Sequence, residues 1–198
     1  LQVCTAVSAA VNGGYLVTPH VVDKITDANG NVIQEIGANV RRQVISQSAS
    51  EVIREMMECE VGNGTGGGKN AYVSGYRIGG KTGSSETGED DHTIVSFLGF
   101  APADDPQVII LLAYDNPKPV SAGSNYTAGG WYISGGNMAA IMAGELLEDI
   151  LDYLGVEKTY SAQADTLVPN LTGLNLADAT SRLKNANLTV RTVGGGDT

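Results

Sequence analysis

The order of apolar and polar positions in the middle of the chain predicts three neighbouring strands. Residues 72–82 can form an extended strand, and a polar turn at residues 86–91 leads into the β-rich segment 93–100. Residues 108–114 are continuously apolar, which is typical of a strand buried on both faces. The three segments together predict an antiparallel sheet in which residues 72–82 form the first strand.

Apolar residues at helical spacing predict helices before and after these strands. A first helix is already under way at Leu1 and ends at Asn12-Gly13, and the capping box at residues 48–51 opens a second helix. A third helix spans residues 136–154 and ends at Gly155. The residues expected to share an apolar face are Val52, Ile53, Met56 and Met57 in the second helix, and Met142, Leu146, Ile150 and Leu154 in the third.

Turn-forming and polar segments divide the rest of the chain. The turn Asp27-Ala28-Asn29-Gly30 predicts a strand pair formed by residues 15–26 and 31–36. The polar stretch 159–166 predicts a domain boundary, which gives a first domain at residues 1–160 and a second at residues 161–198.

The composition narrows the possible functions. The 198 residues include 12 basic and 22 acidic residues, a formal net charge of −10 that argues against nucleic-acid binding. No apolar run approaches the about 20 residues that a membrane helix needs. Cys4 and Cys59 are expected to be buried apolar side chains rather than a disulfide, and His20 and His92 lack metal-ligand spacing. We expect no cofactor and no metal.

One polar segment, Gly79-Gly80-Lys81-Thr82-Gly83-Ser84-Ser85, combines a lysine, hydroxyl groups and glycines. Two kinds of site use such a cluster, the phosphate-binding P-loop and the Lys-Thr-Gly strand of penicillin-recognising serine acyl-transferases. Residues 75–82 match the P-loop pattern, but a P-loop requires a helix that begins at the lysine. The glycines and acidic residues of segment 83–91 oppose a helix and repel phosphate, so a P-loop NTPase is a remote alternative.

Four short motifs follow one another along the chain: Gly64-Thr65-Gly66, Gly79–Ser84, Phe97–Pro102 and Gly135–Ala140. Their order and spacing resemble the C-terminal part of the transpeptidase domain of class B penicillin-binding proteins, in which the last motif resembles the start of the final helix. Residues 168–173 and 177–190 resemble the opening of a PASTA domain. The resemblance implies an α/β fold in which an antiparallel sheet packs against helices, followed by part of a small α+β PASTA module.

The resemblance also implies roles for the residues of the motif. Thr82 and Ser84 would bind the terminal carboxylate of a peptidoglycan stem peptide through their hydroxyls, and Gly83 would let the substrate backbone approach closely. The Ser84 N–H would supply half of an oxyanion hole. Lys81 would add positive potential for the carboxylate and hold a relay serine. The family more often has Thr at the position of Ser84, but both residues carry the hydroxyl.

The nucleophile of such an enzyme is not evident in this chain. The family uses Ser-x-x-Lys for nucleophile and base and Ser-x-Asn for proton relay. The chain contains no Ser-x-Asn, and its one Ser-x-x-Lys, Ser181–Lys184, lies in the PASTA-like helix, where Leu176, Ala179 and Leu183 are expected to form the buried face. We therefore treat that match as coincidence, expect the nucleophile upstream of Leu1, and expect the chain alone to be inactive.

By resemblance, the intact protein would be a D,D-transpeptidase that cross-links stem peptides through a serine acyl-enzyme and is acylated by β-lactams. It would be held at the outer face of a bacterial membrane by an upstream helix, with cell-division or sporulation proteins as partners. The main alternative is a non-catalytic module that binds cell-wall muropeptides through the PASTA-like segment.

Overall fold

The computed structural model describes residues 1–62, 66–86, 92–159, 168–169, 171–185 and 188. Its contacts divide the chain into two units, Leu1–Thr159 and Tyr160–Thr198. The segment predicted as a linker lies almost entirely outside the described residues, as does the turn expected at residues 86–91, of which Glu86 alone is described, as part of a strand. None of the described helices is long and apolar enough to cross a membrane.

An antiparallel sheet of three strands forms the centre of the first unit. Its strands are β5 (Gly79–Glu86), β6 (Thr93–Ala101) and β7 (Val108–Asp115), in the order β5-β6-β7. The register places Thr82 opposite Phe97 in the first pair of strands. The predicted sheet is therefore confirmed, with the lysine motif (Gly79–Ser85) on its first strand. The predicted bounds of that strand, residues 72–82, are wrong: it begins at Gly79, after a turn at residues 74–76, and extends to Glu86.

The prediction that the third strand is buried on both faces is wrong. Along β7 the half-buried and exposed residues alternate towards the C-terminal end, and Leu111 is 39% exposed. Among the described residues, β7 pairs with β6 alone, so it is an edge strand whose apolar run is only partly covered.

Helices cover both faces of the sheet. On one face, Phe97 and Ala101 of β6 belong to a core that includes Ala143 and Leu147 of α3 (Ile141–Tyr153). On the other face, Phe100 packs with Val11 of α1 (Gln2–Val11) and with the half-buried Ile53 and Met57 of α2 (Gln47–Gly62). Successive residues of a strand point to opposite faces, so β6 contributes to both cores.

The start of α2 differs from the predicted capping box. The helix begins at Gln47, and the Ser46 hydroxyl accepts a hydrogen bond from the Ala49 N–H at 3.2 Å. Ser50 is instead fully buried inside the first turns, where its hydroxyl accepts from the Gly13 N–H at 3.0 Å. The serine that caps this helix thus lies two residues before the predicted box, and Ser50 fastens α2 to the turn that follows α1.

The predicted buried faces of two helices need correction. In α2, Ile53 and Met57 pack against the core, but Val52 and Met56 are exposed. In α3, the predicted Met142, Leu146 and Leu154 are exposed and Ile150 is half-buried; the residues that enter the core are Ala143, Leu147 and Leu151. The buried face of α3 is thus shifted by one residue from the predicted face. The small residues on this face allow α3 to approach the sheet closely.

Four short strands connect α1 to α2. β2 (Lys24–Thr26) and β3 (Val32–Glu35) form the predicted hairpin around residues 27–30. However, β1 (Tyr15–Thr18) is separate from β2 and pairs with β4 (Asn39–Gln43), a strand that the sequence did not predict. The long strand predicted at residues 15–26 is therefore wrong, since Pro19 and the residues after it interrupt it.

The second unit contains α4 (Leu176–Asn185), which the Asn175 side chain caps by accepting from the Asp178 N–H at 2.9 Å. Ala179 and Leu183 are half-buried as part of one face, but Leu176, expected on the same face, is exposed. Ser181 and Lys184 are exposed.

Candidate active site

The lysine motif lies where β5 emerges from the core. Gly79 and Gly80 are buried, and a Cβ on either would overlap the ring of Phe100 or Phe97, respectively. From Lys81 onward, β5 is half-buried or exposed. The two glycines thus let the strand pass beneath two aromatic rings before its polar residues reach the surface.

The residues of the motif alternate between the two faces of the sheet. Thr82 lies opposite Phe97 and Ser84 opposite Val95, so both hydroxyl-bearing residues are on the face that also carries α3. Lys81 lies opposite Leu98 on the face of α2. Among the described residues, no partner hydrogen-bonds the Ser84 side chain, and its hydroxyl is exposed.

The Lys81 ammonium is surrounded by three oxygens. Its Nζ donates to the Thr82 carbonyl oxygen at 3.1 Å and to the Thr82 Oγ1 at 3.3 Å. The carboxylate of Glu60, on α2, lies 3.8 Å from the same Nζ. The positive charge therefore sits at the exposed end of the motif, beside one of the two hydroxyls.

The turn that precedes α3 contacts the lysine motif through a glycine. The π-helical turn Gly135–Ala140 precedes α3, and a Cβ on Gly135 would lie 2.6 Å from the Gly83 carbonyl oxygen. Gly136 in turn touches Gly67, at the start of the 3-10 turn Gly67–Ala71. Backbone therefore meets backbone at both contacts, and side chains are excluded from them.

Hydrogen bonds fix the π-helical turn in place. The Ser134 hydroxyl caps the turn by accepting from the Asn137 N–H at 3.1 Å. The Asn70 side-chain amide, in the 3-10 turn, donates to the Gly136 carbonyl oxygen at 2.9 Å. The turn that follows Trp131 and Tyr132 is thus tied to the loop that precedes β5, while both of those aromatic side chains are exposed.

The structure excludes the P-loop interpretation. Lys81 lies inside strand β5, and the backbone remains extended to Glu86, so no helix N-terminus is available at the lysine to bind phosphate.

The other candidate residues are not brought to the motif. Cys4 is half-buried and Cys59 is exposed, so the predicted burial of Cys59 is wrong, and both thiols are free. His92 Nε2 lies 2.6 Å from Asp115 Oδ1, which joins β6 to the end of β7. Over the described part of the chain, no group of His, Cys, Asp and Glu residues could hold a metal ion.

Sequence reasoning missed Glu60, Asn70 and the approach of Gly135 to Gly83. Glu60 belongs to no motif, and nothing in its helical position distinguishes it from the other acidic residues of α2. For Gly135, the sequence predicts only that it begins the motif at the start of a helix. Their proximity to β5 depends on contacts between segments that are far apart in sequence.

Comparison with known proteins shows the family to which the chain belongs. Residues 1–132 match the family model described as the penicillin binding protein transpeptidase domain. The chain belongs to this family, and the predicted resemblance to class B penicillin-binding proteins is confirmed.

The chain spans less than half the length of each of three relatives. Stage V sporulation protein D of Bacillus subtilis is 39% identical over 95% of this chain, which spans 29% of that protein. The apo transpeptidase domain of penicillin-binding protein 3 from Burkholderia pseudomallei is 27% identical, with a TM-score of 0.60, over 81% of this chain and 44% of that one. Penicillin-binding protein 3 from Mycobacterium tuberculosis, complexed with ampicillin, has a TM-score of 0.61 at 24% identity, over 82% of this chain and 36% of that one.

Proposed function

We propose that this chain is the substrate-binding part of a serine-type peptidoglycan D,D-transpeptidase. The observation that carries the proposal is the position of Lys81, Thr82, Gly83 and Ser84 on β5, an edge strand in a chain of the penicillin-binding family. The full protein would attack the penultimate D-Ala carbonyl of one stem peptide with a serine, release the last D-Ala, and transfer the acyl group to the amine of a second stem peptide.

The open edge of β5 suits an extended peptide substrate. Within the described part of the chain, β5 pairs with β6 on one side only, so the backbone N–H and C=O groups on its other side are available to an added strand. Gly83 has no side chain to obstruct that approach, and it is held by Gly135. The substrate backbone would pair along this edge.

The polar groups of the motif suit an anionic substrate end. The Thr82 and Ser84 hydroxyls, on one face of β5, would bind the terminal carboxylate, and Lys81 would supply positive potential from the strand edge. The Ser84 N–H would donate one hydrogen bond to the tetrahedral oxyanion, a contribution typically worth about 3 kcal/mol of barrier.

The serine that forms the acyl-enzyme would come from residues outside this chain. The chain has no Ser-x-Asn, and Ser181 lies in the second unit. β-Lactams such as the ampicillin bound to the Mycobacterium tuberculosis relative would acylate that serine in the full protein.

The setting of the full protein is part of the same proposal. It would act on the outer face of a bacterial membrane, through an anchor outside this chain, and would work with cell-division or sporulation proteins. The second unit would be the opening of a PASTA domain, since α4 supplies its expected helix. Titrating a muropeptide against the completed domain would test whether that domain binds cell wall.

Intact mass after incubation with a penicillin tests the proposal on two samples, this chain and the full-length protein that contains it. An adduct on the longer protein alone is the expected result. An adduct on this chain would show that a serine within it reacts, and no adduct on the folded longer protein would overturn the enzyme.

Variants of the longer protein test the roles within β5. Thr82→Val and Ser84→Ala each remove one hydroxyl and are expected to slow acylation about tenfold, the scale of one hydrogen bond to a charged group. Ser85→Ala, on the opposite face of the strand, is the matched control and should react at the parent rate. Equal rates for all the variants would contradict the assigned roles.

A further inference from the structure

The carboxylate of Glu60 is a second charged group beside the lysine motif. It lies near the C-terminal end of α2, and its Oε1 is 3.8 Å from the Lys81 Nζ. The Lys81 side chain is 62% exposed and the Glu60 side chain is 31% exposed, so Glu60 is the more enclosed of the two partners.

Two glycines that follow α2, Gly66 and Gly68, lie close to Glu60. A Cβ on Gly68 would lie 2.8 Å from the Glu60 Cγ, and a Cβ on Gly66 would lie 3.2 Å from Oε1. Glycine at both positions leaves room for the carboxylate, which lies between α2 and the residues Gly66 and Gly68. The carboxylate can therefore act on the ammonium from a partly enclosed position.

Stability alone gives little reason for this pair. Partly exposed ion pairs contribute from nothing to about 1 kcal/mol, because solvent screens them and long side chains lose entropy. The pair nevertheless involves the same Nζ that donates to the Thr82 carbonyl oxygen and hydroxyl, so Glu60 lies where its charge can act on the position of the ammonium.

We propose that Glu60 is a positioning residue, whose carboxylate holds the Lys81 ammonium beside Thr82 so that it can attract the carboxylate of the incoming substrate. This inference rests on the proposed function, in which Lys81 serves carboxylate recognition. It adds a residue from α2 to a site otherwise built from β5.

Other charged groups near β5 do not take this role. Of the elements that pack on β5, β6 and the π-helical turn contain no charged residue, and the 3-10 turn contains Lys69. Glu58, also near the end of α2, is bound to Arg77 through both carboxylate oxygens. Among the described residues, Glu60 is the carboxylate that pairs with Lys81.

The test uses the full-length protein and two forms of one penicillin, the free acid and its methyl ester. The rate of acylation is measured for the parent protein and for Glu60→Gln, Glu60→Asp and Lys81→Ala. Glu55→Gln is the matched control, since it removes one carboxylate from the same helix. Thermal unfolding of each variant shows whether it is folded.

We expect Glu60→Gln to lower the preference for the acid over the ester by up to about fivefold, the factor that corresponds to the loss of a partly exposed ion pair. Lys81→Ala should lower that preference in the same direction, Glu60→Asp should restore part of it, and Glu55→Gln should leave it unchanged. If the ester reacts too slowly to measure, the rates of acylation by the acid are compared instead. Glu60→Gln should then react more slowly than the parent, and Glu60→Asp should recover part of the lost rate.

Three results would overturn the inference: an unchanged rate in Glu60→Gln, an equal loss for acid and ester, or a faster reaction with the acid. The last would mean that Glu60 competes with the substrate. An unreactive parent protein would instead refute the proposed function, so the two failures are distinguishable.

Discussion

Gly135 lies directly against the backbone of Gly83. A Cβ on Gly135 would come within 2.6 Å of the Gly83 carbonyl oxygen and 3.1 Å of the Gly83 nitrogen, and it would overlap the carbonyl oxygen of Ser96. The π-helical turn before α3 thus supports the middle of the lysine motif through backbone contact alone. Backbone atoms of a paired strand cannot move aside as the end of a flexible side chain can.

Gly135→Ala is therefore expected to destabilise the chain by about 1–3 kcal/mol, the usual cost of overpacking. Urea denaturation measures this change. Gly37→Ala is the control, because a Cβ at Gly37 meets nothing within 4 Å, and it should change stability by less than about 1 kcal/mol. Equal stability of the Gly135 variant and the parent would show that the contact can relax.

Two adjacent leucines of α3 test the phase of that helix. Leu147 is fully buried, whereas Leu146 is 40% exposed. Leu147→Ala should lower the free energy of unfolding by about 2–5 kcal/mol through the loss of buried apolar contacts. Leu146→Ala, the matched control, should cost less than about 1 kcal/mol. If urea denaturation showed a larger loss of stability for Leu146→Ala than for Leu147→Ala, the buried face predicted from the sequence would be correct.

The ion pair between Arg77 and Glu58 fastens α2 to the segment that enters β5. Arg77 Nε and Nη2 donate to the two Glu58 oxygens at 2.6 and 2.7 Å, and Nη1 lies 2.9 Å from Asp104 Oδ2. The hydrogen bond to Glu58 is the main reason that the pKa of Arg77 is raised above its ordinary value, against the opposing effect of burial.

Arg77→Ala is expected to cost about 1–2 kcal/mol, since charge-assisted hydrogen bonds are lost from a partly exposed site. Arg77→Lys should recover little of this, because an ammonium cannot make the paired contacts of a guanidinium. Glu148→Gln, which breaks the more exposed pair with Lys158, serves as the control and should cost less than about 1 kcal/mol. Unfolding free energies that do not separate these variants would contradict the prediction.

The buried hydroxyl of Tyr76 gives the first unit a dependence on alkaline pH. It donates to Asp152 Oδ1 at 2.6 Å, and the Val156 carbonyl oxygen lies 3.0 Å from the same hydroxyl oxygen. Burial, followed by the hydrogen bond to Asp152, raises the pKa of Tyr76 from 10.0 to about 12. The folded chain therefore keeps this proton in a range where the unfolded chain has lost it.

The stabilisation linked to this proton is fully present below pH 10 and is lost as the pH rises to about 12. Tyr76→Phe should be less stable at neutral pH by about 1–2 kcal/mol and should lose less stability than the parent over that alkaline range. Urea denaturation from pH 8 to 12 measures both effects. Tyr153→Phe is the control, because Tyr153 is 89% exposed, and a parallel pH dependence of the parent and Tyr76→Phe would contradict the assignment.

Local sequence was sufficient for the elements whose signals are contained in a few neighbouring residues. The run of β-rich residues that ends at Pro102, the helix end at Gly155 and the turn at residues 27–30 all appear where they were predicted. Each depends on backbone preferences of a few neighbouring residues. The lysine motif was placed on an edge strand for the same reason, because its flanking residues disfavour a helix.

Long-range packing decided the features that the sequence left open or predicted wrongly. β1 pairs with a strand more than 20 residues away, and α3 buries Leu147 rather than Leu146 because small residues let it approach the sheet. The same applies to the site, where Glu60 and Gly135 reach β5 from separate helical segments. A motif determines which chemical groups are present, but the distances between groups remote in sequence are set only when the helices pack on the sheet.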